Sequence, residues 1–233
     1  MATYQVDIDM EVSTVETLRN QGFLLYGFKA VRAPLGGGAP VTWFKSETYS
    51  TNTDVTWETK FEAYTSNSAI IPNGRIEASN HVGIDLEQTF KVTGSGGTGS
   101  VVGGGTRSAI SILNETSKQF TCGISQVRGG VASPMCAFPI YGNHLDVIAP
   151  IEKVLLLFST RPVNTGTVIE QSYGPAIFID LTGAPDNRRQ VSYDLNGGWS
   201  WDGGVWAKKI RPSESLVPLL IENQASNVRG LVA

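Results

Sequence analysis

Residues 4–12 read YQVDIDMEV, and this stretch decides the fold class. Its apolar residues stand at every other position, alternating with polar ones; they are Tyr4, Val6, Ile8, Met10 and Val12. Because successive side chains of a β-strand point to opposite faces, a period of two predicts a strand with one buried face and one polar face. An amphipathic helix would repeat its apolar residues about every 3.6 positions instead. The chain is therefore predicted to open with a half-buried strand.

The same alternation returns further along the chain, and no long helical pattern interrupts it. Residues 55–64 alternate apolar with polar or charged side chains and are predicted as one strand. Residues 154–158 read VLLLF, a continuous apolar run that is typical of a strand covered on both faces. Turn signals such as Pro72-Asn-Gly74 separate these segments. We predict an all-β fold, an antiparallel β-sandwich of roughly ten to twelve strands with at most short helical turns.

A glycine-rich segment lies in the middle of this pattern. Residues 94–105 read GSGGTGSVVGGG. Glycine gives up much backbone entropy on ordering and offers no side chain to pack, so we expect a flexible loop at about residues 94–106. An insertion within a β-hairpin is the alternative interpretation. The strands on either side look alike in kind, so we place this loop inside a single domain of residues 1–233.

Charge and hydropathy exclude several classes of partner. The net charge is -3, with 18 Lys and Arg against 21 Asp and Glu, whereas a nucleic-acid-binding surface is usually basic; we expect no nucleic-acid partner. The longest apolar runs are far shorter than the roughly 20 residues that a transmembrane helix needs. Residues 1–7 have neither the basic nor the apolar region of a secretory signal. We expect a protein that is cytoplasmic as synthesised, with release or export by a route other than Sec as an open alternative.

Neither the cysteines nor the histidines form a recognisable motif. Cys122 and Cys136 could close one loop, but two buried thiols are the simpler expectation in a cytoplasmic protein. His81 and His144 have no second histidine at metal-ligand spacing, and the glycine-rich segment lacks the Gly-Lys-Ser/Thr ending of a phosphate-binding loop. We therefore expect no metal and no cofactor.

The most distinctive feature is a tryptophan cluster in residues 194–206, DLNGGWSWDGGVW. On a strand, Trp199 and Trp201 would share a face, and Trp206 follows closely. Indole faces suit the apolar face of a sugar ring and also favour a bilayer interface, while Asp194 and Asp202 can supply polar contacts. The alternative is that the three indoles only cover one end of the core.

These patterns support three hypotheses about function. The first is a non-catalytic binding protein that recognises a carbohydrate or a lipid headgroup through the tryptophan cluster, either lectin-like or the receptor-binding body of a β-sandwich toxin. The second is a metal-free and nucleotide-free enzyme of the isomerase or cyclase type, with an aromatic pocket and one buried carboxylate; Asp180, which interrupts the apolar run IFIDL, is its first candidate acid or base. The third is a self-assembling structural protein, a homo-oligomer with the tryptophans at the subunit contact.

Overall fold

Three β-sheets make up the fold in a computed structural model that describes residues 2–34 and 36–223. Residues 1, 35 and 224–233 of the predicted domain lie outside the described residues. The described chain contains nineteen strands, two α-helices and one 3-10 turn. In chain order they are β1 (Thr3–Asp9), α1 (Val12–Asn20), β2 (Leu24–Ala33), β3 (Ala39–Pro40), β4 (Phe44–Ser46), β5 (Asn52–Glu58), β6 (Phe61–Ser66), β7 (Asn80–Ile84), β8 (Gln88–Val92), β9 (Gly99–Gly103), β10 (Ile110–Asn114), β11 (Phe120–Arg128), β12 (Val131–Pro134), β13 (Cys136–Ile140), β14 (His144–Ser159), β15 (Ala176–Asp180), the 3-10 turn (Pro185–Asn187), β16 (Arg188–Asp194), β17 (Gly198–Ser200), β18 (Ala207–Ile210), α2 (Val217–Leu220) and β19 (Ile221–Asn223).

The prediction of an all-β, sandwich-like fold is confirmed, but the sheets are mixed. A four-stranded sheet has the order β17-β16-β1-β5, a nine-stranded sheet runs β18-β15-β14-β10-β8-β9 with β2, β4 and β19 attached, and a six-stranded sheet runs β3-β13-β11-β6-β7 with β12 attached. Three strand pairs are parallel: β1 with β16, β8 with β10, and β2 with β19. The strand count exceeds the prediction because six strands have only two to four residues, too few to show alternation.

The apolar run 154–158 lies in a strand that is covered on both faces, as predicted. In β14, Val154, Leu156 and Phe158 join the main core, to which all three sheets contribute. The alternate residues Leu155 and Leu157 join a second apolar cluster on the opposite face. Since each face has its own apolar cover, every position of this run is apolar and alternation is absent.

The segment 55–64 corrects one strand prediction. The structure places residues 52–58 in β5 of the four-stranded sheet and residues 61–66 in β6 of the six-stranded sheet. Trp57 and Phe61 are both buried, so the period of two persists while the chain passes from one sheet to the next. Because the alternation stays in phase, the pattern alone could not reveal the break at residues 59–60.

The glycine-rich segment also differs from the expected flexible loop. Gly99–Gly103 forms β9, which pairs antiparallel with β8 along five residues. A Cβ added to Gly99 would lie 1.8 Å from the backbone oxygen of Lys91, and one added to Gly105 would lie 2.5 Å from that of Gln88. Here glycine permits close backbone approach within a hairpin, and conformational freedom is not its main contribution.

Helices are short in the described chain. The helix α1 begins at Val12, with Glu11 as its N-cap residue and no side-chain cap, so β1 ends earlier than the alternation up to Val12 suggests. Val12 is 62% exposed, which agrees with its place outside the strand. No helix in residues 2–34 and 36–223 is long and apolar enough to cross a membrane.

Candidate functional site

The candidate site lies along one edge of strand β16. On one side, Arg188–Ser192 pair in parallel with Gln5–Asp9 of β1. On the other side, β17 pairs only with residues 192–194, so residues 188–191 have no strand neighbour there within the described chain. The loop of residues 201–206 lies beside this open edge, and together they border a cavity of about 360 Å³.

Two half-buried indoles line this cavity. The ring centroids of Trp201 and Trp206 are 6.4 Å apart, and the rings are inclined by 58°. The Nε1 of Trp201 donates to the backbone oxygen of Gly204 at 2.7 Å, and the Asp202 carboxylate accepts from the backbone N–H of Gly204 at 2.9 Å. Between the indoles, Val205 is fully exposed. These short-range bonds hold the loop so that parts of both ring surfaces stay accessible.

Arg189 adds a positive charge to this surface. Its guanidinium carbon lies 4.8 Å from the ring centroid of Trp206, a cation–π contact. No ion pair joins Arg189 to a carboxylate of the described residues, and its Nε is buried without a hydrogen-bond acceptor. We call Arg189, Trp201, Asp202 and Trp206 the aromatic shelf. The shelf combines apolar ring faces with a guanidinium that lines the cavity and forms no ion pair within the described residues.

Strand alternation explains why Arg189 differs from its neighbours. Arg188 and Gln190 point to the outer face of the sheet, where they donate to the carboxylates of Asp7 and Asp9, respectively. Arg189 points to the opposite face, the side on which Val191 is buried. The sequence contains a signal for this orientation, since Arg189 is two positions before Val191, but Arg189 was not among the predicted site residues.

Trp199 is not on the accessible surface, contrary to expectation. It is 1% exposed, stacks on Phe158 with centroids 5.6 Å apart, and donates from Nε1 to the Pro175 backbone oxygen at 3.2 Å. Strand β17 ends at Ser200, so the rule that positions two apart share a face does not extend to Trp201. The core alternative therefore applies to this indole, while Trp201 and Trp206 remain partly exposed.

Asp194 also lies apart from the shelf. Its Oδ1 accepts from the backbone N–H groups of Asn196 at 2.8 Å and Gly197 at 2.7 Å, closing the turn between β16 and β17. These bonds, that from Gly197 first, lower the pKa of the Asp194 carboxyl. Its position indicates a turn-forming role. Of the five predicted residues, the structure thus brings together Trp201, Asp202 and Trp206.

The carboxylates of the enzyme hypothesis lie outside this cavity. Asp180 ends β15, keeps 34% of its side chain exposed, and contacts the Lys153 amine at 3.5 Å. Asp146 is a carboxylate that is buried in the core, and burial raises its pKa. Neither residue lines the cavity at β16.

The thiols are buried and unpaired. Cys122 and Cys136 are free, and the Cys122 thiol lies 3.8 Å from the Asp146 carboxylate. Burial raises the pKa of the Cys136 thiol to about 12 and that of Cys122 well above its usual value. His144 is exposed, with its Nδ1 2.7 Å from the backbone oxygen of Gly142. The thiols are therefore protonated, and no thiol–imidazole pair forms.

A second cation–indole cluster is closed. The amine of Lys29 is fully buried, lies 4.4 Å from the ring centroid of Trp57, and pairs with the Glu152 carboxylate at 3.0 Å. The same Glu152 oxygen accepts from Trp57 Nε1 at 3.1 Å. Desolvation lowers the pKa of Lys29 despite this carboxylate. The cation of this cluster therefore has a carboxylate partner within the protein, in contrast to Arg189 of the shelf.

Neither a metal-ligand cluster of the described residues nor a known relative indicates a function for this site. In the part of the chain that the structure covers, no three His, Cys, Asp or Glu side chains are grouped so that they could hold a metal ion. Comparison of the chain with models of protein families, with curated proteins and with solved structures finds no match.

Proposed function

We propose that this protein is a non-catalytic binding protein that recognises a carbohydrate on the aromatic shelf. The observation that carries the proposal is the pair of half-exposed indoles, Trp201 and Trp206, in one open cavity with the unpaired cation Arg189. Indole faces accept the apolar C–H faces of sugar rings, while a guanidinium donates to hydroxyl or ring oxygens. The cavity of about 360 Å³ is at the lower end of the roughly 300–1,000 Å³ usual for small-ligand sites.

The open edge of β16 strengthens this proposal. Residues 188–191 leave backbone polar groups without a strand partner on the cavity side. Backbone groups at such an edge can hydrogen-bond to a polar ligand as well as to water. A sugar lying on Trp201 would therefore meet donors and acceptors from the strand, together with the guanidinium of Arg189.

A specific observation favours a lipid surface as the second candidate. Val205 is fully exposed at the tip of the loop between the two indoles. An exposed aliphatic residue between tryptophans suits the interfacial region of a bilayer, where indoles are enriched. A toxin-like protein would insert such a residue into a bilayer, whereas a lectin-like protein would not.

The enzyme and assembly hypotheses have weaker support. A catalytic pocket of the proposed type needs a carboxylate facing an enclosed cavity, but Asp180 is in an ion pair at the surface and Asp146 is in the core. Self-assembly through the shelf remains testable, because an interface would bury the same two indoles. Light scattering of Trp206→Ala beside the unmodified protein separates assembly from ligand binding.

The decisive experiment compares Trp201→Ala with Tyr141→Ala in glycan and liposome binding screens. Tyr141 is 54% exposed and lies outside the shelf, so it controls for the general loss of a surface aromatic residue. We expect a glycan signal that Trp201→Ala weakens by about tenfold or more, or about 1.4 kcal/mol, because the sugar loses a stacked ring, and that Tyr141→Ala leaves intact.

The outcomes distinguish the candidates. Liposome binding without glycan binding would replace the sugar by a bilayer headgroup. Identical profiles for the unmodified protein and Trp201→Ala would end the proposal that the shelf is the recognition surface.

A further inference from the structure

A second cavity contains two arginines that no carboxylate neutralises. This cavity of about 460 Å³ lies between the end of α1, the loop after β4, and the ends of β5 and β11. Arg19 from α1 and Arg128 from β11 both line it. Neither guanidinium forms an ion pair with a carboxylate of residues 2–34 or 36–223. No residue is shared with the cavity at the aromatic shelf.

Packing holds Arg128 in place at this cavity. Its guanidinium carbon lies 4.2 Å from the ring centroid of Phe44. The Phe44 ring in turn packs on Gly27, where a Cβ would lie only 2.0 Å from a ring carbon. The Arg128 Nε is buried without an acceptor. A cation is thus held on an aromatic face, and its Nε has no hydrogen-bond acceptor among the described residues.

Arg19 approaches the same cavity from the helix. Its guanidinium donates to the backbone oxygen of Tyr49 and lies 5.7 Å from the Tyr49 ring centroid. One carbonyl satisfies only part of a guanidinium, which has five N–H donors. The guanidinium groups of Arg19 and Arg128 therefore line the same cavity, and neither has acceptors for all of its N–H donors among the described residues.

The other polar groups of the cavity leave a net positive charge. The hydroxyls of Ser50 and Thr53 donate to the backbone oxygens of Asn52 and Ser50 at 2.7 and 2.9 Å. Asp54 supplies the single carboxylate of the lining, and its hydrogen bond with Asp7 raises the pKa of Asp54. Burial lowers the pKa of Arg128, as expected for a cation that is desolvated without a counter-ion. The lining of the cavity thus contains one carboxylate and two guanidinium groups.

We infer that this cavity binds a tetrahedral oxyanion, the phosphate or sulfate group of an ester, between Arg19 and Arg128. The planar fork of a guanidinium matches the oxygen spacing of phosphate and sulfate, and such charge-assisted bonds are about twice as strong as neutral ones. Binding would place a negative charge between two guanidinium groups that line the cavity without a carboxylate partner in the described residues. Asp54 opposes the anion, so its carboxylate limits the affinity.

The test measures inorganic phosphate and sulfate binding to the full chain by calorimetry, with sodium chloride at equal ionic strength as the reference. We expect saturable binding of both oxyanions, and Arg128→Met weakens it by about tenfold or more. Asp54→Asn tightens binding, because a negative charge leaves the lining. Arg161→Met is the matched control: Arg161 lies 3.9 Å from the Tyr173 ring centroid but outside this cavity, and its loss leaves binding unchanged.

Further measurements keep the inference falsifiable. If Arg128→Met does not fold, Arg19→Met replaces it, since Arg19 is exposed and its loss leaves the core intact. Phosphoserine and glucose 6-sulfate then identify the source of the oxyanion, and tighter binding of either one supports the site. Equal binding by the unmodified protein and both arginine variants, or an effect that chloride reproduces, overturns it. Glycan binding at the shelf is unaffected by this result.

Discussion

Two clusters of this protein place a cation on an indole, and they differ in what surrounds the cation. Lys29 lies 4.4 Å from the Trp57 ring centroid and Arg189 lies 4.8 Å from that of Trp206. Lys29 is sealed in the core and has a carboxylate at 3.0 Å, whereas Arg189 borders an open cavity and has no ion pair within the described chain. The cation on the indole therefore has a carboxylate partner in one cluster and none among the described residues in the other.

The difference follows from the cost of burying charge. A buried cation without a counter-charge is strongly destabilising, so a closed cluster requires an internal partner such as Glu152. A cation at an open surface is solvated and needs no internal partner. Because Arg189 lines the cavity, the open cluster supports a binding role, whereas the closed cluster supports a structural role.

The largest effect is expected in the closed cluster, from Glu152→Gln. This change keeps an acceptor for Trp57 Nε1 but removes the charge that faces Lys29. We expect a loss of about 3–5 kcal/mol in the free energy of unfolding, measured by urea denaturation at pH 7. A loss below about 1 kcal/mol would show that water already solvates Lys29.

The pH dependence and a double variant provide the controls. Burial lowers the pKa of Lys29 in the folded protein, and loss of Glu152 removes the attraction that opposes this shift. The uncharged amine therefore becomes accessible at a lower pH in the variant, so its stability deficit shrinks as the pH rises from 7 towards 9 or so. Lys29→Met combined with Glu152→Gln recovers most of the loss, because no unpaired charge remains buried.

The next largest effect is a difference in stability between variants of Trp199 and Trp201, the two tryptophans that were expected to share a face. Trp199→Phe removes part of a core side chain and leaves the Pro175 carbonyl without its donor, for a loss of about 1–3 kcal/mol. Trp201→Phe, at the partly exposed site, costs less than about 1 kcal/mol. Thermal unfolding of the pair measures the difference. Equal losses would mean that Trp201 is as buried as Trp199.

The smallest effect is expected from Arg189→Met. An exposed cation–π contact contributes about 0.5–1 kcal/mol, and the change also removes a buried Nε without an acceptor. These terms oppose each other, so the free energy of unfolding changes by less than about 1 kcal/mol while glycan binding weakens. A large loss of stability would indicate that Arg189 is a structural cation like Lys29.

Much of the fold could be predicted because burial leaves a local signature in a strand. Alternation in residues 4–12 and the unbroken apolar run at 154–158 depend only on which faces are covered. The pairing of strands does not leave such a signature. The parallel contact of β1 with β16 joins Gln5 to Arg188, and neither segment specifies its partner. The sequence also does not show where two backbones approach each other closely, so the glycines of β9 were interpreted as a flexible loop.

The candidate site was predictable in part for a similar reason. Composition revealed the tryptophan cluster, and three of its predicted members, Trp201, Asp202 and Trp206, line the cavity. How deeply each indole is buried depends on where β17 ends. This strand has only three residues, too few for the sequence to reveal its end. Arg189 belongs to the shelf through a contact with Trp206, seventeen positions later, and that contact exists only in the folded chain.

The parallel pairing of β1 with β16 has a consequence for biosynthesis. The ribosome completes Thr3–Asp9 long before Arg188–Asp194 emerges, so the first strand can pair with β5 but must keep its other edge open for most of translation. The strand that carries Arg189 therefore pairs with a strand that was synthesised much earlier. The open edge of β16 beside Trp201 and Trp206 is thus completed late, and it depends on a strand, Thr3–Asp9, that is distant in sequence.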